Sequence, residues 1–215
     1  MKYKLAIFDM DGTTLNTLDD LAGSLNYALR QFGFPERTID EVRSFVGNGV
    51  RLLVERGVPE GCSAAETEQV YEAFSSHYMV HCCDSTRPYD GILELLAVLR
   101  ENGVLAAVVS NKPDGAVQEL CSKYFSNLFQ VSVGEREGVG KKPCPDSVNE
   151  VLKQLKVQKE EAVYIGDSEV DIMTAKNAEI DCVSVEWGFK NHTFLQENGA
   201  EIIVSSPAEL IDIIL

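Results

Sequence analysis

Three short apolar runs, at residues 4–8, 104–109 and 162–165, each stop at a polar cluster: Asp9-Met10-Asp11-Gly12-Thr13, Ser110-Asn111 and Gly166-Asp167-Ser168. Runs of this length bounded by polar residues read as buried strands that end in loops. Helical periodicity follows or precedes them at residues 92–101, 116–123, 146–155 and 169–178, with Gly103 just past the end of the first. Strands alternating with helices of this length predict βαβ units and a parallel sheet. Apolar runs at 182–185 and 202–204 extend that sheet, and Pro207 opens a last short helix. Residues 15–87 carry a different pattern. Helical spacing recurs at 18–31, 39–45, 50–56 and 64–80 without a strand, and Ser63-Ala64-Ala65-Glu66 forms a capping box ahead of the last of these. The pattern therefore predicts an α/β chain: a Rossmann-like parallel-sheet core from residues 1–14 and 88–215, carrying an inserted α-helical cap at residues 15–87.

Charge narrows the choice of partners. With 34 acidic against 19 basic side chains, the formal charge of −15 repels nucleic acid phosphates and anionic lipid headgroups, so neither is expected to bind. The N-terminal residues fall short of a signal peptide's apolar region, and no later stretch approaches the length of a membrane span. A soluble, cytoplasmic protein is the expectation. The six cysteines show neither a C-x-x-C pair nor zinc-like spacing and are expected to be reduced thiols. Monomer and homodimer both remain open.

In an open parallel sheet, ligands bind beyond the carboxyl ends of the strands. If the three runs are neighbours, Asp9, Asp11, Ser110, Asn111 and Asp167 converge there from distant parts of the chain. Carboxylates brought to 4 Å repel by about 4 kcal/mol per pair at an effective dielectric near 20, so some must hold a proton or share a cation. An all-oxygen donor set points to Mg²⁺. Lys142-Pro143-Cys144-Pro145 adds an ammonium on a loop that its prolines keep out of helix. A hydroxyl, an amide and an ammonium, from Ser110, Asn111 and Lys142, would make a clamp suited to a phosphoryl group.

Taken together, these segments resemble the four motifs of the haloacid dehalogenase superfamily, in order. Asp9-Met10-Asp11-Gly12-Thr13 matches the nucleophile motif, Ser110-Asn111 the hydroxyl motif, Lys142-Pro143-Cys144-Pro145 the lysine motif and Gly166-Asp167-Ser168-Glu169-Val170-Asp171 the acidic metal motif. The likeness is to its phosphatases with a helical cap of the C1 type, of the phosphoglycolate phosphatase kind. It implies that Asp9 is a nucleophile forming an aspartyl-phosphate and that Asp11 is the general acid and base. It also implies that Mg²⁺ is held by Asp9, Asp167 and the backbone carbonyl of Asp11, with Asp171 in support. Ser110, Asn111 and Lys142 would bind the phosphoryl oxygens. Dehalogenases of the superfamily lack the second aspartate, so Asp11 argues for ester cleavage. The implied substrate is a small phosphorylated metabolite, with 2-phosphoglycolate foremost. A pyrophosphatase, a sugar-phosphate or nucleotide phosphatase, a hexose-phosphate mutase and a non-catalytic phosphate-binding module remain alternatives. Gly47-Asn48-Gly49 in the cap resembles a loop that chooses substrate in related enzymes, which makes nearby Arg51 a candidate contact to an anionic substrate.

Other signatures fail. His81-Cys82 and Arg87 are spaced too closely for a cysteine phosphatase loop, Tyr78 stands where a His77 to His81 zinc motif needs glutamate, and Gly140-Lys141-Lys142 lacks the rest of a P-loop.

Overall fold

A computed structural model describes residues 2–215. Its elements are, in chain order, β1 (Leu5–Phe8), β2 (Leu15–Asn16), α1 (Leu18–Gln31), α2 (Ile39–Phe45), α3 (Val50–Gly57), α4 (Ala64–His81), β3 (Arg87–Pro88) and α5 (Ile92–Glu101). They continue with β4 (Leu105–Pro113), α6 (Asp114–Phe125), β5 (Val131–Glu135), α7 (Asp146–Leu155) and β6 (Ala162–Gly166). The chain closes with α8 (Glu169–Ala178), β7 (Asp181–Val185), α9 (His192–Glu197), β8 (Ile203–Val204) and α10 (Pro207–Ile214). It divides into two compact units, one built from residues up to 15 together with 88–215 and the other from residues 16–87.

The first unit holds a six-stranded sheet in the order β5-β4-β1-β6-β7-β8, with every recorded pairing parallel. All four residues of β1 are fully buried, as a central parallel strand covered on both faces requires. One face is packed by Leu5, Ile7, Ala107, Val109, Tyr164, Val148 and Val151, so α7 lays its apolar stripe against the sheet. Register matters more for function. Phe8 pairs with Val108 on one side and Ile165 on the other, so the residue after Phe8 lies level with the polar ends of both neighbours. The α/β expectation holds, and four details depart from it. β2 and β3 pair as a two-stranded sheet at the two ends of the stretch 15–87, where the pattern predicted no strand. Val131–Glu135 is a strand that the pattern did not mark: five residues at the sheet edge, ending in Gly-Glu, give too little alternation to register. His192–Glu197 is an unexpected helix, short and capped by the Asn191 side chain, which accepts from the Phe194 amide at 2.9 Å. β4 does not stop at Val109 but runs through Ser110-Asn111-Lys112 to Pro113, with a register shift against β5 between Val109 and Pro113. Its polar end is thus rigid strand rather than loop.

The second unit is helical. Leu25, Val54, Val70 and Phe74 are buried, and the Phe74 and Tyr78 rings stack with centroids 5.4 Å apart. Capping boxes start α2 at Thr38 with Glu41 and α4 at Ser63 with Glu66. Asp20 on α1 is buried and accepts from the backbone amides of Ser85 and Thr86, each at 2.8 Å at its shorter contact. Arg37 likewise donates to the carbonyls of Gly57 and Val58 at 2.6 and 3.2 Å, fastening the end of α3. No helix among the described residues is long and apolar enough to cross a membrane.

Candidate active site

β1 delivers Asp9 to the edge of the sheet. The Asp9 amide donates to Ile165 at 2.9 Å, the last rung that joins this residue to β6. Beyond it the chain wraps tightly on the Met10 carbonyl, which accepts from the amides of Thr13, Thr14 and Leu15 at 3.3, 3.0 and 3.0 Å. Gly12 allows that turn: its φ is +89°, and a Cβ there would lie 2.4 Å from Oδ2 of Asp167. Gly188 approaches from the other side, where a Cβ would lie 2.4 Å from both the Gly12 carbonyl oxygen and Cβ of Asp167.

The four predicted segments meet here. Asp9, Asp167 and Asp171 are buried, and each offers an oxygen such that all lie within 4.8 Å of one another. Lys142, buried in the same group, sets its Nζ 2.8 Å from Oδ1 of Asp9 and 2.8 Å from Oδ1 of Asp171. It also donates to the Tyr164 hydroxyl at 3.0 Å, which in turn donates to the Val109 carbonyl at 3.0 Å. Asp167 accepts from the Phe189 amide at 2.7 Å and from the Thr13 hydroxyl at 3.3 Å. Asp171 is spoken for on both oxygens, since its Oδ2 takes the Ser168 hydroxyl at 2.6 Å and the Ser168 amide at 3.1 Å as the capping box of α8. Ser110 and Asn111 are buried beside them; the Asn111 amide donates to the Lys142 carbonyl at 3.0 Å, and its Oδ1 is buried without a partner. The Lys142–Pro143 peptide bond is cis. Arg51 lies in the helical unit, where its guanidinium pairs with both oxygens of Glu68 at 2.8 and 3.1 Å and covers the Tyr71 ring.

Electrostatics follow from this crowding. Burial pushes Asp9 up to about 7, against the pull of Lys142, with Asp171 and Asp11 adding to the rise. Asp167 is likewise held well above the usual carboxylate range by burial and by its neighbours Asp171 and Asp9. Burial works against the charge of Lys142, yet Asp171 and Asp9 outweigh it and raise that ammonium well above its ordinary value. Three carboxylates face one ammonium, a formal deficit of two positive charges. Hard oxygen donors carrying that deficit have the chemistry of a small divalent cation site.

Two participants were not read from the sequence. Tyr164 lies inside a uniformly apolar run and gives no sign that its hydroxyl turns toward Lys142. Lys112 does give one, as the third polar residue in succession after an apolar run; its side chain is wholly buried and its Nζ lies 2.8 and 3.1 Å from the two oxygens of Asp11.

Residues 6–185 match the model of the haloacid dehalogenase-like hydrolases. The chain belongs to this family. It is 30% identical over 221 residues to a phosphoglycolate phosphatase of Haemophilus influenzae, covering 99% of each chain. It is also 30% identical to an N-acetylmuramic acid 6-phosphate phosphatase of Pseudomonas aeruginosa, over all of this chain and 96% of that one. Among solved structures, a candidate phosphoglycolate phosphatase from Lactobacillus delbrueckii subsp. bulgaricus superposes with a TM-score of 0.96 at 42% identity, covering 100% of this chain and 99% of that one. The chain is a phosphatase of the haloacid dehalogenase-like hydrolases, and its four motif segments meet at one sheet edge.

Proposed function

We propose that the chain is a Mg²⁺-dependent phosphomonoesterase that cleaves a small phosphorylated metabolite through an aspartyl-phosphate on Asp9, with 2-phosphoglycolate the foremost substrate. The observation that carries this reading is the grouping of Asp9 with Lys142 and Asp167, with Asp11 two residues further along the same turn. A carboxylate oxygen of Asp9 attacks phosphorus, the bond to the ester oxygen breaks, and Asp11 hands that oxygen a proton. Asp11, now a carboxylate, takes a proton from water while the water oxygen attacks phosphorus. The bond from Asp9 to phosphorus then breaks, its electrons returning to the Asp9 carboxylate. Lys142, Ser110 and Asn111 hold the phosphoryl oxygens, and burial makes each of those contacts stronger than it would be in water.

Asp9, Asp167 and the backbone carbonyl of Asp11 are the groups that would hold Mg²⁺, whose chemistry there is neutralisation of phosphoryl charge. Both oxygens of Asp171 already have donors, which supports a part for it in holding Lys142 alongside any contact with the ion. For Arg51 to reach an anionic substrate it must exchange the Glu68 carboxylate for the ligand's, so Arg51→Ala tests that part by a rise in KM.

The foremost substrate rests on the relatives named as phosphoglycolate phosphatases; the relative acting on N-acetylmuramic acid 6-phosphate supports a second reading, a sugar phosphate. Release of inorganic phosphate from a panel of phosphorylated metabolites, with Mg²⁺ and with chelator, decides between these and the pyrophosphatase and mutase alternatives. Asp9→Asn is expected to abolish release while the melting temperature persists. Undiminished turnover in that variant would remove the nucleophile assignment.

A further inference from the structure

Lys112 is placed where a lysine is costly. Its side chain has no exposed surface, and taking an ammonium wholly out of water costs several kcal/mol unless a charge partner and hydrogen bonds compensate. The partner is Asp11, the side chain 15% exposed, with Nζ reaching both carboxylate oxygens at 2.8 and 3.1 Å. The lysine is itself anchored, being part of β4, and its backbone amide donates to the Ser110 hydroxyl at 3.2 Å. Three successive residues of one strand thus reach three parts of the site: Ser110 toward the backbone of Lys112, Asn111 toward the Lys142 loop, and Lys112 toward Asp11.

A carboxyl that must give a proton to one oxygen and take one from another depends on being within hydrogen-bond reach of both, about 2.6–3.2 Å between heavy atoms. An aspartate on a turn can rotate about two side-chain bonds; one whose two oxygens share a buried ammonium cannot do so without breaking a contact. We propose that Lys112 is a positioning residue for Asp11, fixing the carboxyl that carries the proton in phosphoryl transfer. This rests on the phosphatase reading, because it requires Asp11 to be the proton carrier. In this assignment Lys112 serves the reaction through its contact with Asp11.

Leaving groups separate this part from a merely structural one. The alkoxide released from 2-phosphoglycolate needs a proton as it departs, whereas the aryloxide of p-nitrophenyl phosphate leaves without one. The ratio kcat/KM reports events up to departure of the leaving group, so it isolates that difference. Lys112→Met is expected to lower kcat/KM on the alkyl ester by about 10²-fold, the scale of a 1 Å misplacement, and to lower it on the aryl ester by less than about threefold. In an Asp11→Asn background, adding Lys112→Met should change neither ratio by more than about twofold, because the group it positions is already gone. That double variant removes both charges of the pair together, so it keeps the comparison available even where Lys112→Met alone fails to fold. Equal losses on the two esters, or a further loss when Lys112→Met is added to Asp11→Asn, would overturn the assignment. Turnover of either ester by the unaltered chain, measured first, checks the phosphatase reading separately.

Discussion

Gly188→Ala is a one-methyl change whose cost can be worked from the geometry. The added Cβ would stand 2.4 Å from the Gly12 carbonyl oxygen, 2.4 Å from Cβ of Asp167 and 2.5 Å from its Oδ2, where ordinary contact begins at 3.4 Å. Something must therefore retreat by about 1 Å, and two of these atoms are anchored: the Gly12 carbonyl in a tight turn, and Cβ of Asp167 immediately after a central strand. Neither can swing aside as a long side chain would. A displacement of that size in a reacting group costs about 10²-fold in kcat, and overpacking costs about 1–3 kcal/mol of stability. The expected outcome is thus a large loss of phosphate release, a higher Mg²⁺ concentration for half-activity and a modest fall in melting temperature. Gly23→Ala is the control, since nothing lies within 4 Å of its added methyl and the residue is exposed in α1. There, removing a helical glycine should stabilise by about 0.5–1 kcal/mol without touching kcat. A Gly188→Ala enzyme with kcat within about twofold of the parent and unchanged Mg²⁺ dependence would refute the claim that this glycine gives Asp167 its place.

Three further outcomes are expected. Mg²⁺ added to chelator-treated protein should raise the melting temperature, by about 2.7 kcal/mol of stability at a hundred times its Kd, and the Asp9→Asn, Asp167→Asn double variant should lose most of that gain; equal stabilisation of both proteins would place the ion elsewhere. Asp171→Asn should depress kcat more than KM, because it loosens the Lys142 ammonium that Oδ1 of Asp171 holds at 2.8 Å; an unchanged kcat would show that Asp9 and Tyr164 suffice to hold it. Burial pushes the Cys182 thiol up to about 12 and that of Cys121 up to about 11, so neither supplies much thiolate at pH 8. Mass spectrometry after brief iodoacetamide treatment of native protein should find both nearly unmodified, and rapid labelling of Cys182 would contradict so raised a thiol.

Much of the site was legible because its residues sit where hydrophobic pattern gives way to polarity. Parallel strands in register turn that change of character into a meeting place, so the pattern alone brings Asp9, Ser110 and Asp167 together. Lys142 came from the prolines around it. What escaped was whatever carries no contrast with its surroundings. Tyr164 stands in an apolar run, and its hydroxyl matters only through a contact 22 positions away with Lys142. Val131–Glu135 is an edge strand too short to show alternation, although it carries β4 onward past Val109. The partnership of Lys112 with Asp11 spans 101 positions and depends on the strand's continuing through its polar end.

The placement of Asp9 one step beyond β1 ties the lifetime of the candidate site to that of the whole fold. β1 is hydrogen-bonded on both sides, so its amides should be among the last to exchange with deuterated solvent. Fraying of the chain ends or of the short outer strands would leave Asp9 where it is. Heat inactivation should accordingly track global unfolding rather than run ahead of it.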